Sequence, residues 1–149
     1  MEAVIFVGVQ ASGKSSFYKE RFFRTHVRLS LDMLRTRHRE RLLLQACLDA
    51  KQPFVVDNTN PRPADRARYV PPARAAGFRV VGYYFQSAVA DAIRRNQARP
   101  EPERIPVKGL VGTYKALQLP TLAEGFHALY YVTLTTDHGF AVQDWTDAV

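Results

Sequence analysis

The chain has 149 residues, of which 46% are hydrophobic and 23% are charged. A sequence of this length and hydrophobic content can bury one substantial core, so we expect residues 1–149 to form a single domain. Lys and Arg (21) outnumber Asp and Glu (14), which gives a formal net charge of +7. The single cysteine excludes an internal disulfide framework, and no apolar stretch approaches the length of a membrane span. We therefore expect a cytoplasmic protein that does not enter a membrane.

Short apolar runs alternate with helical patterns along most of the chain. The runs that we predict as strands are residues 4–7, 27–29, 53–56, 78–85 and 130–134. The predicted helices cover about residues 14–23, 31–50, a stretch after residue 63, 87–98 and a stretch ending at residue 117. Repeated units of this length predict an α/β fold, with a parallel sheet covered by helices on both faces. We expect Pro71 and Pro72 to kink or restart the third helix, whereas residues 135–149 show no pattern.

The first predicted strand leads directly into the most informative motif. Residues 8–15 read Gly-Val-Gln-Ala-Ser-Gly-Lys-Ser, a full match to the phosphate-binding loop G-x-x-x-x-G-K-[ST]. In such a P-loop, backbone N–H groups surround an anion, and the next helix directs the positive end of its dipole at the same point. We expect Lys14 to reach the outer phosphates of a nucleotide and the Ser15 hydroxyl to bind Mg²⁺. The loop residues predicted to bind the nucleotide are Gly8, Gln10, Ala11, Ser12, Gly13, Lys14, Ser15 and Ser16. The expected fold is that of P-loop NTPases and kinases.

A carboxylate follows the predicted strand 53–56. Asp57 stands where P-loop proteins place the carboxylate that supports the magnesium shell. The next residue is Asn58, at a position where ATP-driven motors commonly carry a glutamate that activates water. We therefore expect phosphoryl transfer to an acceptor other than water. Because the chain has no Asn-Lys-x-Asp motif for reading guanine, we expect ATP as the nucleotide.

Two further sites carry charged side chains at helical spacing. Asp32 stands near a predicted helix start, where it could act as a base or simply cap the helix. Arg35 lies three residues on, would share the same helix face and could hold an acceptor phosphate. Arg95 and Arg99 would share a face one turn apart, and we predict an arginine-bearing lid over about residues 94–117 that places a guanidinium on the transferring phosphoryl group. An exposed basic helix end is the alternative interpretation of this pair.

The arginines fall into three groups, over residues 21–41, 62–79 and 94–108. No Lys or Arg follows Lys115. Guanidinium groups match phosphate oxygens in pairs, so this distribution suits nucleic-acid binding. A solvated helix face explains part of it equally well, as for Arg37 and Arg41 beside Glu40.

Seven stretches of the chain resemble the kinase domain of polynucleotide 5′-hydroxyl kinases, that of the bacteriophage enzyme and, more closely, that of animal polynucleotide kinase-phosphatases. They are residues 6–15, Asp32-x-x-Arg35, residues 55–61 (Val-Val-Asp-Asn-Thr-Asn-Pro), residues 66–70, residues 73–77, Arg95-Asn96-x-x-Arg99, and residues 120–126 (Pro-Thr-Leu-Ala-Glu-Gly-Phe). Together they extend over about residues 3–133, which is nearly the whole chain.

The resemblance implies roles for several of these residues. Asp32 would be the general base toward a 5′-hydroxyl group, and Arg35 would bind the phosphate on the 3′ side of the terminal nucleotide. Arg95 and Arg99 would be lid arginines. Asp57 would be an essential carboxylate of the active site.

By the same resemblance, Asn58 would lie near the acceptor phosphate. The implied activity is that of an ATP- and Mg²⁺-dependent kinase for 5′-hydroxyl ends of DNA or RNA in nucleic-acid repair. The chain lacks the Asp-x-Asp signature of the phosphatase domain, so we expect no 3′-phosphatase activity and leave open a separate phosphatase or ligase partner. Two other hypotheses remain: a small-molecule kinase of the same fold, acting on a nucleoside, sugar or antibiotic, and an ATP-binding module without turnover.

Overall fold

The apolar runs of the sequence form a six-stranded sheet with helices packed against it. The computed structural model describes residues 1–86, 89–137 and 139–145. The strands are β1 (Glu2–Val7), β2 (Val27–Leu29), β3 (Phe54–Val56), β4 (Arg79–Phe85), β5 (Ala128–Leu134) and β6 (Phe140–Asp144). The helices are α1 (Lys14–Arg21), α2 (Leu31–Leu34), α3 (Arg37–Ala50), α4 (Pro63–Arg66), α5 (Val70–Ala75), α6 (Val89–Gln97) and α7 (Val107–Ala116). Residues 87–88 of the predicted helix 87–98 lie outside the described residues.

The first strand occupies the interior of the sheet, whose strand order is β2-β3-β1-β4-β5-β6. β1 pairs in parallel with β3 on one side, where Ala3 is opposite Phe54, and with β4 on the other, where Ala3 is opposite Val80. Residues 3–7 are fully buried. The chain that leaves β1 therefore enters the middle of the carboxyl edge of the sheet, where open α/β sheets bind ligands.

Helices cover both faces of the sheet, as predicted. Ala3 and Ile5 belong to a core cluster that includes residues of α3 and α5. Val4 and Phe6 point the opposite way, into a second cluster with residues of α1. This alternation follows from the two-residue period of a strand that is buried on both faces.

The last strand departs from the prediction of a parallel sheet that ends with residues 130–134. β6 pairs antiparallel with β5, in a register that places Thr133 opposite Ala141. None of its five residues is fully buried, and the strand ends in the polar residues Gln143 and Asp144. Its first residue, Phe140, packs edge-on against Phe17, with 5.0 Å between the ring centroids. Residues 146–149 of the tail lie outside the described residues.

The predicted helix over residues 31–50 is two helices. The break falls at Arg35, whose φ of 74° is incompatible with a right-handed helix. α3 then starts anew because the Thr36 hydroxyl accepts a hydrogen bond from the backbone N–H of Arg39 at 3.2 Å. The predicted restart at Pro71 and Pro72 is confirmed, since α5 carries both prolines in its first turn. In the described ranges, none of the helices is long and apolar enough to cross a membrane.

Candidate active site

The P-loop, residues 8–15, leaves β1 and turns into α1. Gly8 is so closely surrounded that an added Cβ would lie 3.0 Å from the Phe85 Cβ and 3.1 Å from the Ser12 Oγ. Gly13 has a φ of 97°, in the left-handed region that favours glycine. The motif therefore needs its first glycine for a close approach and its second for a backbone angle.

Lys14 folds back onto its own loop. Its Nζ donates hydrogen bonds to the carbonyl oxygens of Gly8 at 3.1 Å and Val9 at 2.6 Å. Burial strips water from the ammonium group and lowers the pKa of Lys14 to about 8, although the negative charge of Asp57 opposes this effect. Ionised phosphate oxygens are stronger hydrogen-bond acceptors than backbone carbonyls. The ammonium group can therefore exchange the carbonyl oxygens of the loop for the phosphate oxygens of a nucleotide.

Ser15 and Asp57 meet beside the P-loop. The backbone N–H of Asp57 donates to the Leu29 carbonyl at 2.8 Å, which extends the β2–β3 pairing and places the carboxylate at the carboxyl edge of the sheet. The Ser15 Oγ donates to the Asp57 Oδ2 at 2.9 Å. Hydroxyl and carboxylate oxygens are the kind of ligand that Mg²⁺ prefers, so this pair fits the predicted metal. Among the described residues, no group of three or more His, Cys, Asp or Glu side chains could hold a metal ion.

A cavity of about 230 Å³ opens at this edge. The predicted site residues that line it are Gln10, Lys14, Ser15, Asp32, Asp57, Asn58 and Arg99. Leu31, Thr59 and Ile105 complete the described lining. The fold thus brings residues from four separate segments of the chain to one space.

Asp32 and Arg35 are not related as expected. Asp32 is the second residue of α2 and is exposed at the cavity. Arg35 comes after the last residue of that helix, with a φ of 74°, so the prediction of a shared helix face is wrong. Arg35 is also exposed and is absent from the described cavity lining.

Asn58 is held in a buried network. Its Oδ1 accepts the backbone N–H of Leu31 at 2.9 Å, at the start of the helix that carries the predicted base. Its Nδ2 donates to the Glu40 Oε2 at 2.9 Å and to the Tyr69 hydroxyl at 3.3 Å. Glu40 also accepts from Arg37 at 2.8 Å and from the Tyr69 hydroxyl at 2.9 Å. Burial and the Glu40 charge raise the pKa of Tyr69 to about 12, so its hydroxyl stays a donor.

This network corrects the interpretation of Glu40 as part of a solvated face, because the residue is only 2% exposed. The sequence placed it between arginines at helical spacing, which is typical of a surface. Its partners lie 18 and 29 residues further along the chain, and such contacts leave no local signal.

The two helices of the predicted lid, α6 and α7, contact the P-loop directly. The Arg95 Nε donates to the Ala11 carbonyl at 2.5 Å, and the Gln10 Nε2 donates to the Thr113 Oγ1 in α7 at 3.0 Å. Beneath these polar contacts, three buried apolar side chains pack together, one from the P-loop, one from α6 and one from α7. They are Val9, Ala92 and Leu110. Burial and the neighbouring arginines lower the pKa of Arg95.

Arg99 lies beyond the end of α6, so the prediction that it shares a helix face with Arg95 is wrong. Its backbone N–H donates to the Asn96 carbonyl at 3.2 Å, and its side chain lines the 230 Å³ cavity. Asn96 is buried, and its side-chain amide bonds to both backbone groups of Ile105 at 2.5 and 2.8 Å. This clamp closes the segment between the two lid helices.

Arg66 was predicted as part of a basic surface group and is fully buried. Its guanidinium forms a two-pronged ion pair with Glu124, at 2.7 and 3.0 Å. It also donates to the carbonyls of Asn60 at 2.9 Å and Gln118 at 3.1 Å. Arg66 therefore joins the segment that follows Asp57 to the segment that follows the lid.

A second cavity, of about 140 Å³, lies on the β5–β6 side of the P-loop. Its described lining is Ser12, Gln86, Asp91, Arg95, Val132, Thr133, Leu134 and Phe140. Only Ser12 and Arg95 of this set were predicted as site residues. Ser12 is buried, and its hydroxyl donates to the Val9 carbonyl at 2.7 Å, while Ser16 is exposed in the first turn of α1.

A mostly parallel sheet with a P-loop after its central strand defines the chain as an α/β protein with the fold of P-loop NTPases and kinases. A family model described as an AAA domain matches residues 4–116. The chain belongs to this family.

Solved structures share the fold. A gluconokinase from Sinorhizobium meliloti 1021 superposes with a TM-score of 0.64 at 16% identity, over 91% of this chain and 83% of that one. Kti12 from Chaetomium thermophilum, solved with ADP-AlF3, gives a TM-score of 0.63 at 14% identity, over 91% and 92% of the two chains. A structure of the PezAT toxin-antitoxin system of Streptococcus pneumoniae gives 0.64 at 13% identity, over 99% and 74%. None of these three is a polynucleotide kinase, so the finer resemblance stays a prediction.

Proposed function

We propose that the protein is an ATP-dependent phosphotransferase that moves the γ-phosphate of ATP to a hydroxyl group. The observation that carries this proposal is the convergence of Lys14, Asp32 and Arg99 on one cavity beside the P-loop. A cation for the phosphates, a carboxylate for the hydroxyl and a guanidinium from a lid are the parts that phosphoryl transfer requires.

In the proposed reaction, the Asp32 carboxylate accepts the proton of the acceptor hydroxyl as its oxygen bonds to the γ-phosphorus. The bond from that phosphorus to the β–γ bridging oxygen breaks, and ADP leaves. Lys14 leaves its loop carbonyls for the phosphates, and Arg99 stabilises the charge of the transferring group. Ser15 and Asp57 would hold Mg²⁺, which would supply positive charge that offsets the negative charge of the phosphates. The second cavity, beside Phe140, is the proposed position of the nucleoside.

Different observations favour two acceptor classes. A small-molecule hydroxyl is favoured by the likeness to a gluconokinase and by the modest volume of the cavity, about 230 Å³. A polynucleotide 5′-hydroxyl is favoured by the stretches around Asp32 and Arg35, both of which are exposed where an extended acceptor could reach them. With a polynucleotide acceptor, a separate phosphatase or ligase partner would stay open.

Transfer of labelled γ-phosphate from ATP to a panel of acceptors tests the proposal. The panel contains 5′-hydroxyl DNA and RNA oligonucleotides, nucleoside 3′-monophosphates, nucleosides, gluconate and other sugars, with Lys14→Ala as the inactive control. Label on any acceptor, absent with Lys14→Ala, supports the phosphotransferase. No label on any acceptor, together with ATP binding, would favour the ATP-binding module.

Salt then separates the two acceptor classes. Each phosphate contact of a single strand releases counterions, so the affinity for oligonucleotides should fall with salt by a logarithmic slope of about 0.7 per contact. The KM of a neutral small acceptor should change little. If oligonucleotides bind no better than mononucleotides at any salt concentration, the acceptor is a small molecule.

A further inference from the structure

Arg28 contacts both of the side chains that would hold a magnesium ion. It lies in the middle of β2, and its guanidinium bridges the two side chains that fit the metal. The Nε donates to the Asp57 Oδ2 at 2.8 Å, and the Nη2 donates to the Ser15 Oγ at 3.1 Å. These are the two oxygens that are also joined to each other at 2.9 Å.

The contact belongs to the interior of the site. The Asp57 side chain is 2% exposed and the Arg28 side chain 26% exposed. The guanidinium also lies over the Tyr18 ring, with 5.9 Å from the Cζ to the ring centroid. A carboxylate this deeply buried needs a positive partner, because an unpaired buried charge is strongly destabilising. Arg28 provides such a partner.

A guanidinium and a divalent cation at these two oxygens would compete for the same negative charge. The Ser15 Oγ gives its proton to Asp57 and accepts from Arg28, so one of its two lone pairs is engaged. Two positive charges at hydrogen-bond distance from one carboxylate would also repel each other. Binding of the metal ion therefore favours departure of the guanidinium.

We propose that Arg28 holds the magnesium position in the nucleotide-free protein and is displaced when Mg-ATP binds, so that it sets the Mg²⁺ concentration that tight nucleotide binding requires. This inference rests on the proposed ATP site. It assigns to Arg28 a role in metal dependence, and the sequence had placed this residue only in a basic group.

Calorimetric binding of a non-hydrolysable ATP analogue, measured over a series of Mg²⁺ concentrations, tests the inference without relying on turnover. In Arg28→Gln the competing cation is gone, so the Mg²⁺ concentration at half-maximal nucleotide affinity should fall about tenfold, as the loss of charge-assisted hydrogen bonds implies. Arg28→Lys keeps the charge, but an ammonium group cannot bridge two oxygens as a guanidinium fork does. The Mg²⁺ midpoint of this variant should therefore lie between those of wild type and Arg28→Gln. Because Arg28→Lys retains a partner for Asp57, it remains informative if Arg28→Gln does not fold.

Arg24→Gln is the matched control, since it removes the same charge from an exposed position nearby in the sequence. It should leave the Mg²⁺ midpoint unchanged. An unchanged or raised midpoint in the folded Arg28 variants, with normal nucleotide binding, would overturn the inference and leave the proposed function intact. No nucleotide binding by the wild-type protein at any Mg²⁺ concentration would overturn the proposed function itself, and the inference with it.

Discussion

Glu40 and Asn58 are joined by a hydrogen bond of 2.9 Å across 18 residues of sequence, and this bond is what links α3 to the predicted base. Asn58 in turn accepts a hydrogen bond from the backbone N–H of Leu31, the residue before Asp32. Glu40 thus acts on the site through other residues. We regard it as a positioning residue that determines where α2 begins.

Glu40→Gln should lower both kcat and stability. A neutral amide cannot accept all the hydrogen bonds that Arg37, Tyr69 and Asn58 donate to the carboxylate, so the free energy of unfolding should fall by about 1 to 3 kcal/mol. The KM for ATP should stay near the wild-type value, because the network touches the start of α2 and not the P-loop. Urea unfolding and steady-state kinetics measure the two effects. Glu20→Gln, at an exposed position, is the control, and a rise in the KM for ATP with unchanged kcat would contradict the positioning role.

Lys14→Ala and Asp32→Asn should both abolish transfer, by different routes. Lys14 serves the nucleotide phosphates, whereas Asp32 serves only the acceptor, so Asp32→Asn should keep its affinity for Mg-ATP within a few-fold of wild type. Nucleotide binding by calorimetry, beside the transfer assay, checks this. Asp49→Asn removes an exposed carboxylate of α3 and should change neither quantity. Full activity in Asp32→Asn would refute the assignment of the base.

Arg35→Ala should weaken the use of acceptors that carry a phosphate 3′ to the terminal nucleoside. The change removes a charge-assisted contact worth about 1.5 to 3 kcal/mol, whereas acceptors without that phosphate should lose little. The comparison of kcat/KM for a nucleoside 3′-monophosphate and for the nucleoside measures the difference. Arg41→Ala removes an exposed arginine of α3 and serves as the control. Equal losses on both acceptors would show that Arg35 supports the fold or the ATP site instead.

Glu124→Gln should destabilise the protein strongly. It leaves the fully buried Arg66 without an opposite charge, and breaking a buried pair from one side costs about 3 to 5 kcal/mol. The midpoint of urea unfolding should fall accordingly, while Glu103→Gln, at an exposed position, should leave it unchanged. An equal midpoint in Glu124→Gln and wild type would show that the ion pair contributes little to the fold.

The features that the sequence predicts well are those that local chemistry dictates. A P-loop requires glycine where the backbone turns through a left-handed angle, as at Gly13, so the motif is legible in eight consecutive residues. Asp57 could be placed because it directly follows a buried apolar run. Helices on both faces of the sheet could be predicted because the strands are apolar at consecutive residues and so must be buried on both sides.

The features that sequence reasoning missed depend on partners far away in the chain. Arg66 and Glu124 are 58 residues apart, and each alone has the composition of a surface. Arg28 meets its carboxylate 29 residues on, which no spacing rule anticipates. Even the helix break at Arg35 results from a single backbone angle that an arginine does not signal.

The apolar contact of Val9 with Ala92 and Leu110 has a thermodynamic consequence. These side chains are already buried against one another, so ATP binding removes no further area of these three residues from water. The heat capacity of binding reports the apolar area removed from water. Val9, Ala92 and Leu110 should therefore contribute little to its change on ATP binding, which should arise from the nucleoside itself and from residues beyond the Asn96 clamp.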